Sequence, residues 1–309
     1  MNPVAAAAAA RLPQNAQGWL PLLRRALDVP IDAVTFPQHF YVHTVVNGAV
    51  AAGGGYAPQK APMKLSSPRQ SAVLVLLSPA ATASGFQDMC ITLTRRSEIV
   101  TSHKGEMSFP GGRVDPGETA RDAAQREALE EVGLLPSAYE IVGSLTPIAT
   151  NLHGARVTPF VAVASDPAQP YCASPDEVHS IHYLHMSTLL TEAATRHARA
   201  IRYRSSVSRR PCLFPCFFAS PVPTAVSDAV RLSPNASVVP DDCGFDPMLS
   251  DDFPGELVWG LTSFITCELV ARVAKALTDA PGGDSAAAVR ALLVPSNVVA
   301  RDSVSASPA

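Results

Sequence analysis

One stretch, residues 112–134, constrains the fold of this chain more than any other. Within it, Ala120–Val132 has high helix propensity and contains neither glycine nor proline. Thr119 is of the type that caps a helix N-terminus, and Gly133 is of the type that follows a helix C-terminus. The stretch therefore predicts a helix with defined ends.

Three glutamates of the predicted helix fall on one face. Glu127, Glu130 and Glu131 are spaced i, i+3 and i+4, which brings their carboxylates to the same side. Three like charges repel one another unless a cation lies among them, and Arg126 supplies only one positive charge. Mg²⁺ is commonly bound through carboxylates and substrate phosphates. The spacing therefore indicates either a divalent metal site or an acidic face in solvent, which is the usual role of a run of charges.

The register of these residues resembles the Nudix box, Gly-x5-Glu-x7-Arg-Glu-U-x-Glu-Glu-x-Gly-U, in which U is a bulky aliphatic residue. Ala128 departs from the pattern because it is small, which affects packing under the helix rather than chemistry. The resemblance implies an α/β fold, the Nudix α/β/α sandwich with a mixed sheet between helices. It also implies a hydrolase that splits a nucleoside diphosphate linked to another group, with Mg²⁺ or Mn²⁺ as cofactor. The matching positions are Gly112, Glu118, Arg126, Glu127, Glu130, Glu131, Gly133 and Leu134.

A second motif runs directly into the box. It resembles the signature of Nudix hydrolases that act on coenzyme A, Leu-Leu-Thr-x-Arg-Ser/Ala-x3-Arg-x3-Gly-x3-Phe-Pro-Gly-Gly. Thr92 replaces the first leucine, and Thr101 replaces the internal arginine. If that arginine contacts a phosphate, its loss weakens coenzyme A binding or changes the preferred substrate. The positions that match in register are Leu93, Thr94, Arg96, Ser97, Gly105, Phe109, Pro110, Gly111 and Gly112.

Positive charge is concentrated in the same segment, at Arg95, Arg96, His103 and Lys104. The phosphates of coenzyme A are anionic, and arginine can bind phosphate bidentately. The alternative for the arginines is a side chain that extends along the surface at a strand end. We predict that the substrate-binding residues are Arg95, Arg96, Ser97, Lys104, Phe109 and Gly111.

Catalytic and metal-binding roles follow from the resemblance. Arg126 is expected to pair with Glu118 or a neighbouring glutamate, and the glutamate that acts as general base is left open. Pro175–Val178 matches a Pro-Asp-Glu-Val segment of related coenzyme A hydrolases, so Glu177 is either a further metal ligand or a turn residue before a strand. His153 is either a general acid or base or a loop histidine without a role. The predicted catalytic residues are Glu118, Arg126, Glu127, Glu130 and Glu131, and the predicted metal ligands are Gly112, Glu127, Glu130, Glu131 and Glu177.

Composition limits the function classes. Hydrophobic residues make up 47% of the chain and charged residues 17%, which describes a globular protein with a sizeable core. The net charge of -3 gives no electrostatic footprint for nucleic acid, and no apolar run is long enough to span a membrane. The resemblance to coenzyme A hydrolases implies a small-molecule partner, coenzyme A or an acyl-coenzyme A, and the oligomeric state is not indicated. The expected products are adenosine 3′,5′-bisphosphate and (acyl-)4′-phosphopantetheine. The alternatives are hydrolysis of another nucleoside diphosphate derivative and a non-catalytic Nudix domain used for binding.

The domain organisation is predicted from composition and periodicity. Residues 1–69 are expected to be an N-terminal extension with a helix and a flexible linker, the latter over 48–68. Residues 70–278 are expected to be the hydrolase domain, with a loop insertion at 220–255, and residues 279–309 a flexible tail. Strands are expected at 72–77, 89–95, 139–145, 157–164 and 179–185, and helices at 186–200 and 257–277.

The N-terminal segment leaves two interpretations open. Residues 1–27 contain arginine but no acidic residue, as mitochondrial presequences do, and apolar residues around Trp19 form an amphipathic pattern. The segment is therefore either a presequence or a surface helix of the fold, and the expected location is mitochondrial or cytoplasmic. The terminal Ser-Pro-Ala is not the Ser-Lys-Leu peroxisomal signal.

Overall fold

The structure is a computed structural model, and it describes the segments that contain the predicted site. The described residues are 12–13, 15–34, 36, 40, 42–46, 49–56, 69–81, 87–100, 103–149, 155–164, 171–190, 199–204, 211–221 and 255–278. Thr101, His153, most of the expected insertion and the expected tail lie outside them.

The described strands form one mixed sheet. Its main path runs β2-β1-β12-β10-β4-β3-β9-β7, in which β3 and β9 are parallel and the other neighbours are antiparallel. The strands are β1 (Val42–Val46), β2 (Ala49–Tyr56), β3 (Gln70–Ala81), β4 (Gln87–Arg96), β5 (Met107–Ser108), β6 (Gly111–Arg113), β7 (Tyr139–Ser144), β8 (Ile148–Ala149), β9 (Arg156–Ala164), β10 (Val178–His185), β11 (Arg199–Arg204), β12 (Pro211–Pro221) and β13 (Glu256–Val258).

Helices cover both faces of this sheet. The described α-helices are α1 (Ala16–Asp28), α2 (Ala120–Val132), α3 (Met186–Leu190) and α4 (Gly260–Thr278). Residues of β3 alternate between the faces, so that Leu74 and Leu76 pack in a cluster with α2. Val75 and Leu77 belong to the larger cluster that includes residues of α1 and α4. The predicted α/β class, with a mixed sheet between helices, is confirmed.

The small side chain of Ala128 is explained by this packing. Ala128 is completely buried in the cluster that contains Leu74 and Leu76 of β3. A larger side chain would have to be accommodated against these leucines, and extra volume in a close-packed core costs about 1–3 kcal/mol. The departure from the box pattern is therefore a packing feature of the interface between α2 and the sheet.

Three predictions of secondary structure need correction. Residues 49–56 of the expected linker form strand β2, which pairs with β1. The sequence Asn47-Gly48, which precedes β2, is a typical hairpin signal. The helix expected over 186–200 is described over Met186–Leu190, and its expected end is wrong because Arg199–Arg204 is a strand paired with β12. The last helix begins at Gly260 rather than at residue 257, because Glu256–Val258 pairs with β12.

Helix α1 is an integral part of the core. Asn15 caps it, with its side-chain oxygen accepting a hydrogen bond from the Gly18 amide at 3.0 Å. Its buried residues Trp19, Leu22 and Leu23 belong to the large cluster beneath the sheet. The interpretation of residues 16–28 as a helix of the fold is therefore the one that the packing supports. Among the described helices, none has the length and apolar character needed to cross a membrane.

A buried ion pair connects α1 to the rest of the fold. Arg272 of α4 donates to Glu268 at 2.8 Å and to the backbone carbonyl of Val29, just after α1. The same Glu268 carboxylate accepts hydrogen bonds from the amide and the hydroxyl of Thr146, after β7. Three segments that are distant in sequence are thus joined by one buried network.

We expect Trp19→Ala to lower the free energy of unfolding by about 3–5 kcal/mol, as truncation of a large buried aromatic residue does. Trp19 is completely buried, and its indole nitrogen also donates to the Pro13 carbonyl at 3.1 Å. Urea unfolding followed by circular dichroism measures the change. Arg24→Ala on the same helix is the control, since its ion pair with Glu140 is exposed and contributes at most about 1 kcal/mol. Equal stability of the wild type and Trp19→Ala would contradict the placement of α1 in the core.

Candidate metal centre

Helix α2 presents the predicted glutamates, and its ends lie where the sequence predicts them. Thr119 caps the helix by accepting a hydrogen bond from the Asp122 amide at 3.1 Å. Gly133 ends it in the left-handed conformation, with its amide bonded to the Leu129 carbonyl. The glutamates therefore occupy the last turns of a helix whose register is fixed at both ends.

Three carboxylates converge at this end of α2. Oxygen atoms of Glu127, Glu131 and Glu177 all lie within 4.8 Å of one another, and we call these residues the acidic triad. Glu177 arrives from the segment before β10, which is attached to α2 by a hydrogen bond from the Ser174 amide to the Glu131 carbonyl at 2.9 Å. Three oxygen ligands in one place match the preference of Mg²⁺ for carboxylates.

Glu130 does not join this group in the structure. Its side chain is 54% exposed and pairs with Arg126, whose NH1 lies 2.9 Å from the Glu130 carboxylate. The same guanidinium contacts Glu118 at 3.0 Å and Glu127 at 3.0 Å, as the sequence led us to expect for Glu118. The Glu118 pKa is lowered chiefly by its hydrogen bond to Arg126. Arg126 thus holds two glutamates outside the acidic triad, Glu118 and Glu130, and one member of it, Glu127.

The two glycines before the helix allow close approach of the backbone. A Cβ at Gly112 would meet the Glu127 carboxylate, with its Oε2 only 2.8 Å away. A Cβ at Gly111 would overlap the Ala72 carbonyl of β3, and the Gly111 amide donates to Glu131 at 3.2 Å. Strand β6 can therefore lie directly against the acidic triad only because these positions carry no side chain.

Burial makes the negative charge of the acidic triad costly. Desolvation raises the pKa of Glu131 to about 8, with the neighbouring carboxylates Glu127 and Glu177 adding to the effect. Desolvation is also the main cause of the raised pKa of Glu127. A divalent cation would stabilise the ionised form of these carboxylates and offset the cost of their burial. The three carboxylate groups are therefore a ligand set that fits Mg²⁺ or Mn²⁺.

One arginine faces the acidic triad. Arg96 of β4 has its NH1 atom 3.8 Å from the Glu131 carboxylate, and its side chain is 25% exposed. A guanidinium at this position is partly accessible and lies beside the carboxylates, where it can also contact an anionic ligand. Lys104 is exposed, and the Ser97 amide donates to the Glu177 carbonyl at 2.9 Å.

Comparison with known proteins identifies the domain that carries this site. Residues 68–203 match the family model described as NUDIX domain. Over this region the chain is similar to Nudix proteins. Over 136 residues the chain is 34% identical to Nudix hydrolase 3 of Caenorhabditis elegans. The matched region covers 43% of this chain and 56% of that protein. Over 101 residues it is 42% identical to the Nudix hydrolase NudL of Escherichia coli, covering 32% of this chain and 52% of that protein.

The chain spans about half the length of these curated relatives. Among solved structures, it is similar to the Nudix hydrolase RenU of M. smegmatis with a TM-score of 0.32 and 21% identity. That match covers 39% of this chain and 72% of RenU.

Two predicted substrate-binding residues, Arg95 and Phe109, have buried side chains. Arg95 is 5% exposed, because it points to the opposite face of β4 from Arg96 and pairs there with Glu98 and Glu256. Phe109 is 2% exposed in the core cluster of α1 and α4. Neither side chain is thus exposed beside the acidic triad, and a role of either residue in substrate binding stays a prediction.

We expect the metal-free protein to lose stability as the pH rises from about 4.5 to about 8. The folded protein holds the Glu131 proton up to a pKa of about 8, whereas the unfolded chain releases it near the ordinary glutamate pKa of 4.5. Between these values the unfolded state binds fewer protons, so the free energy of unfolding falls with pH. Each unit of difference in pKa corresponds to about 1.4 kcal/mol. Thermal unfolding in chelator at pH 5.5 and pH 8.5 measures this effect.

Glu131→Gln is the control for this pH dependence. The amide resembles the protonated carboxyl and does not ionise, so the variant should lose most of the difference between the two pH values. Mn²⁺ should stabilise the wild type more at pH 8.5 than at pH 5.5, because a cation binds the ionised form. A pH dependence that is identical in the wild type and the variant would exclude Glu131 as its source.

Proposed function

We propose that this chain hydrolyses the pyrophosphate bond of coenzyme A or an acyl-coenzyme A in the presence of Mg²⁺ or Mn²⁺. The products are adenosine 3′,5′-bisphosphate and (acyl-)4′-phosphopantetheine. The observation that carries the proposal is the convergence of Glu127, Glu131 and Glu177 beside Arg96. Acidic groups for a cation and a basic group for a phosphate thus lie in one place.

Different residues of the site bind the ligands and transfer the proton. A divalent ion held by the acidic triad would neutralise phosphate oxygens and lower the pKa of a water molecule. Arg96 holds a phosphate oxygen, and a carboxylate of the acidic triad takes the proton from the attacking water. Arg126 keeps Glu127 in place through the contact at 3.0 Å. Gly112 is a further candidate ligand through its carbonyl.

The choice of coenzyme A rests on the motif before the box. Arg96, Ser97 and Gly105 stand at the positions where this motif resembles coenzyme A hydrolases, and Arg96 lies beside the acidic triad. Lys104 is exposed in the same segment and available to the 3′-phosphate. Thr101 stands where the motif has arginine, and this departure favours another nucleoside diphosphate derivative as the second candidate substrate.

Product analysis tests the proposal. Purified protein is incubated with coenzyme A, acetyl-coenzyme A and oxidised coenzyme A, and separately with nucleoside triphosphates and dinucleotides, in Mg²⁺ or Mn²⁺. Mass spectrometry should detect adenosine 3′,5′-bisphosphate and a phosphopantetheine only when the metal is present. Turnover of nucleotides alone would replace coenzyme A by the second candidate. Absence of metal-dependent turnover on every diphosphate would instead favour a Nudix domain used for binding.

A further inference from the structure

The neighbouring residues Arg95 and Arg96 of β4 contact different carboxylates on opposite faces of the strand. Arg96 lies 3.8 Å from Glu131 of the acidic triad, whereas Arg95 is 5% exposed on the opposite face of the strand. The NH2 atom of Arg95 donates to the Glu98 carboxylate at 3.2 Å, and its Nε atom lies 3.9 Å from the Glu256 carboxylate of β13. Arg95 therefore joins the end of β4, the turn after it and the strand before α4.

The Arg95–Glu98 pair lies against the chain that returns towards β5. We call residues 103–106 the return segment. Gly105 within it has a φ of 67°, and a Cβ there would be 2.9 Å from the Glu98 Oε1 atom and 3.4 Å from Arg95 NH2. The return segment thus packs on the ion pair at a position that favours glycine both for its conformation and for space.

The return segment holds the backbone of Arg96 on both sides. The Arg96 amide donates to the Glu106 carbonyl at 3.0 Å, and the Arg96 carbonyl accepts from the Gly105 amide at 3.2 Å. The next residue, Ser97, donates its amide to the carbonyl of Glu177, a member of the acidic triad. A shift of the return segment would therefore move Arg96 relative to the acidic triad.

We propose that the Arg95–Glu98 pair is a positioning element that sets the place of Arg96 and thereby the affinity for a substrate diphosphate, without contacting the substrate. The inference rests on the proposed function, in which Arg96 holds a phosphate. Its physical basis is that a charged donor must be held closely in place to contribute fully to binding and catalysis.

Glu98→Gln is the informative variant. The Glu98 side chain is 52% exposed, so the substitution removes the charge of the pair without leaving a cavity. Glu140→Gln is the matched control, because Glu140 is 51% exposed, also pairs with an arginine and lies on β7, outside the site. Both variants should unfold at temperatures close to that of the wild type. The amide oxygen of glutamine can still accept from Arg95, which also keeps Glu256 nearby, and the Arg24–Glu140 pair is exposed and contributes little to stability.

The test is a double-mutant cycle on binding. Calorimetry measures the Kd of methylenediphosphonate, a pyrophosphate analogue that is not hydrolysed, in Mg²⁺, for the wild type, Glu98→Gln, Arg96→Ala and the double variant. We expect Glu98→Gln to weaken binding about threefold to tenfold in the wild type and to have no further effect when Arg96 is already alanine, because residues that act through one contact are not additive. Glu140→Gln should leave the Kd unchanged.

An equal loss in both backgrounds, or no loss in either, would overturn the positioning role. Binding that the wild type lacks altogether would overturn it as well, because Arg96 would then hold no phosphate. The coupling between Glu98 and Arg96 is measured by binding of an analogue that is not hydrolysed. It therefore tests the positioning role independently of the assignment of coenzyme A as the substrate. A coupled loss of affinity in a protein that does not hydrolyse coenzyme A would refute the assigned reaction and keep the positioning role.

Discussion

We expect Glu131→Gln to lower kcat by about a thousandfold or more and to leave the fold intact. Glu131 is the most buried member of the acidic triad, and it is held by the Gly111 amide and by Arg96. The amide keeps the shape of the side chain but removes the charge that attracts a divalent cation. A thousandfold loss corresponds to about 4 kcal/mol of transition-state stabilisation, which is within the range expected for charge stabilisation at a reacting centre. Steady-state kinetics with coenzyme A and a titration of Mn²⁺ measure the two effects together.

Glu130→Gln is the informative comparison for Glu131→Gln. Glu130 lies outside the acidic triad and contacts Arg126 at 2.9 Å, so its loss should reduce kcat less than the loss of Glu131. An equal loss would mean that Glu130 leaves Arg126 and becomes a ligand when the cation binds. A Glu131→Gln enzyme with normal turnover and normal metal dependence would contradict the role that we assign to Glu131.

We expect Gly112→Ala to lower kcat/KM by about a hundredfold through displacement of Glu127. The new Cβ would overlap the Glu127 carboxylate, whose Oε2 lies 2.8 Å from the Cβ position. Because the carboxylate is the flexible end of a side chain, it moves away while strand β6 stays in place. The acidic triad then loses one ligand, and Arg126 loses its contact with Glu127. Enzyme kinetics and thermal unfolding of the same preparation separate this local effect from a loss of fold.

A second background tests the mechanism of the Gly112→Ala defect. In a Glu127→Gln protein the carboxylate is already absent, so Gly112→Ala should cause little additional loss. Independent, multiplicative losses would show that the methyl group acts elsewhere. Full activity of Gly112→Ala would show that the close approach of β6 to Glu127 is not needed.

Local sequence signals predicted the helix of the site, because its ends are set by neighbouring residues. Thr119 bonds to the amide of Asp122 within the first turn, and Gly133 takes the left-handed conformation that ends the helix. Strand β2 was missed because its alanines and glycines suggest a linker, whereas its pairing with β1 defines it as a strand. Pairing of that kind depends on a partner strand that composition does not show.

The placement of single side chains depended on tertiary contacts. Strand alternation puts Arg95 and Arg96 on opposite faces, but only the packing of α2 determines which face holds the acidic triad. Glu177 is far from α2 in sequence and reaches it through the hydrogen bonds of Ser174 and Ser97. Neither Glu98 nor Glu256 stands at a specified position of a motif. Their contacts with Arg95 could therefore be found only in the structure.

We infer that Glu127, Glu131 and Glu177 together bind a divalent cation. An anomalous difference map from crystals of the protein grown with Mn²⁺ tests it most directly. We expect one peak in contact with carboxylate oxygens of all three residues, beside Arg96. A peak that is bound by other residues, or no peak at these carboxylates at saturating Mn²⁺, would contradict it.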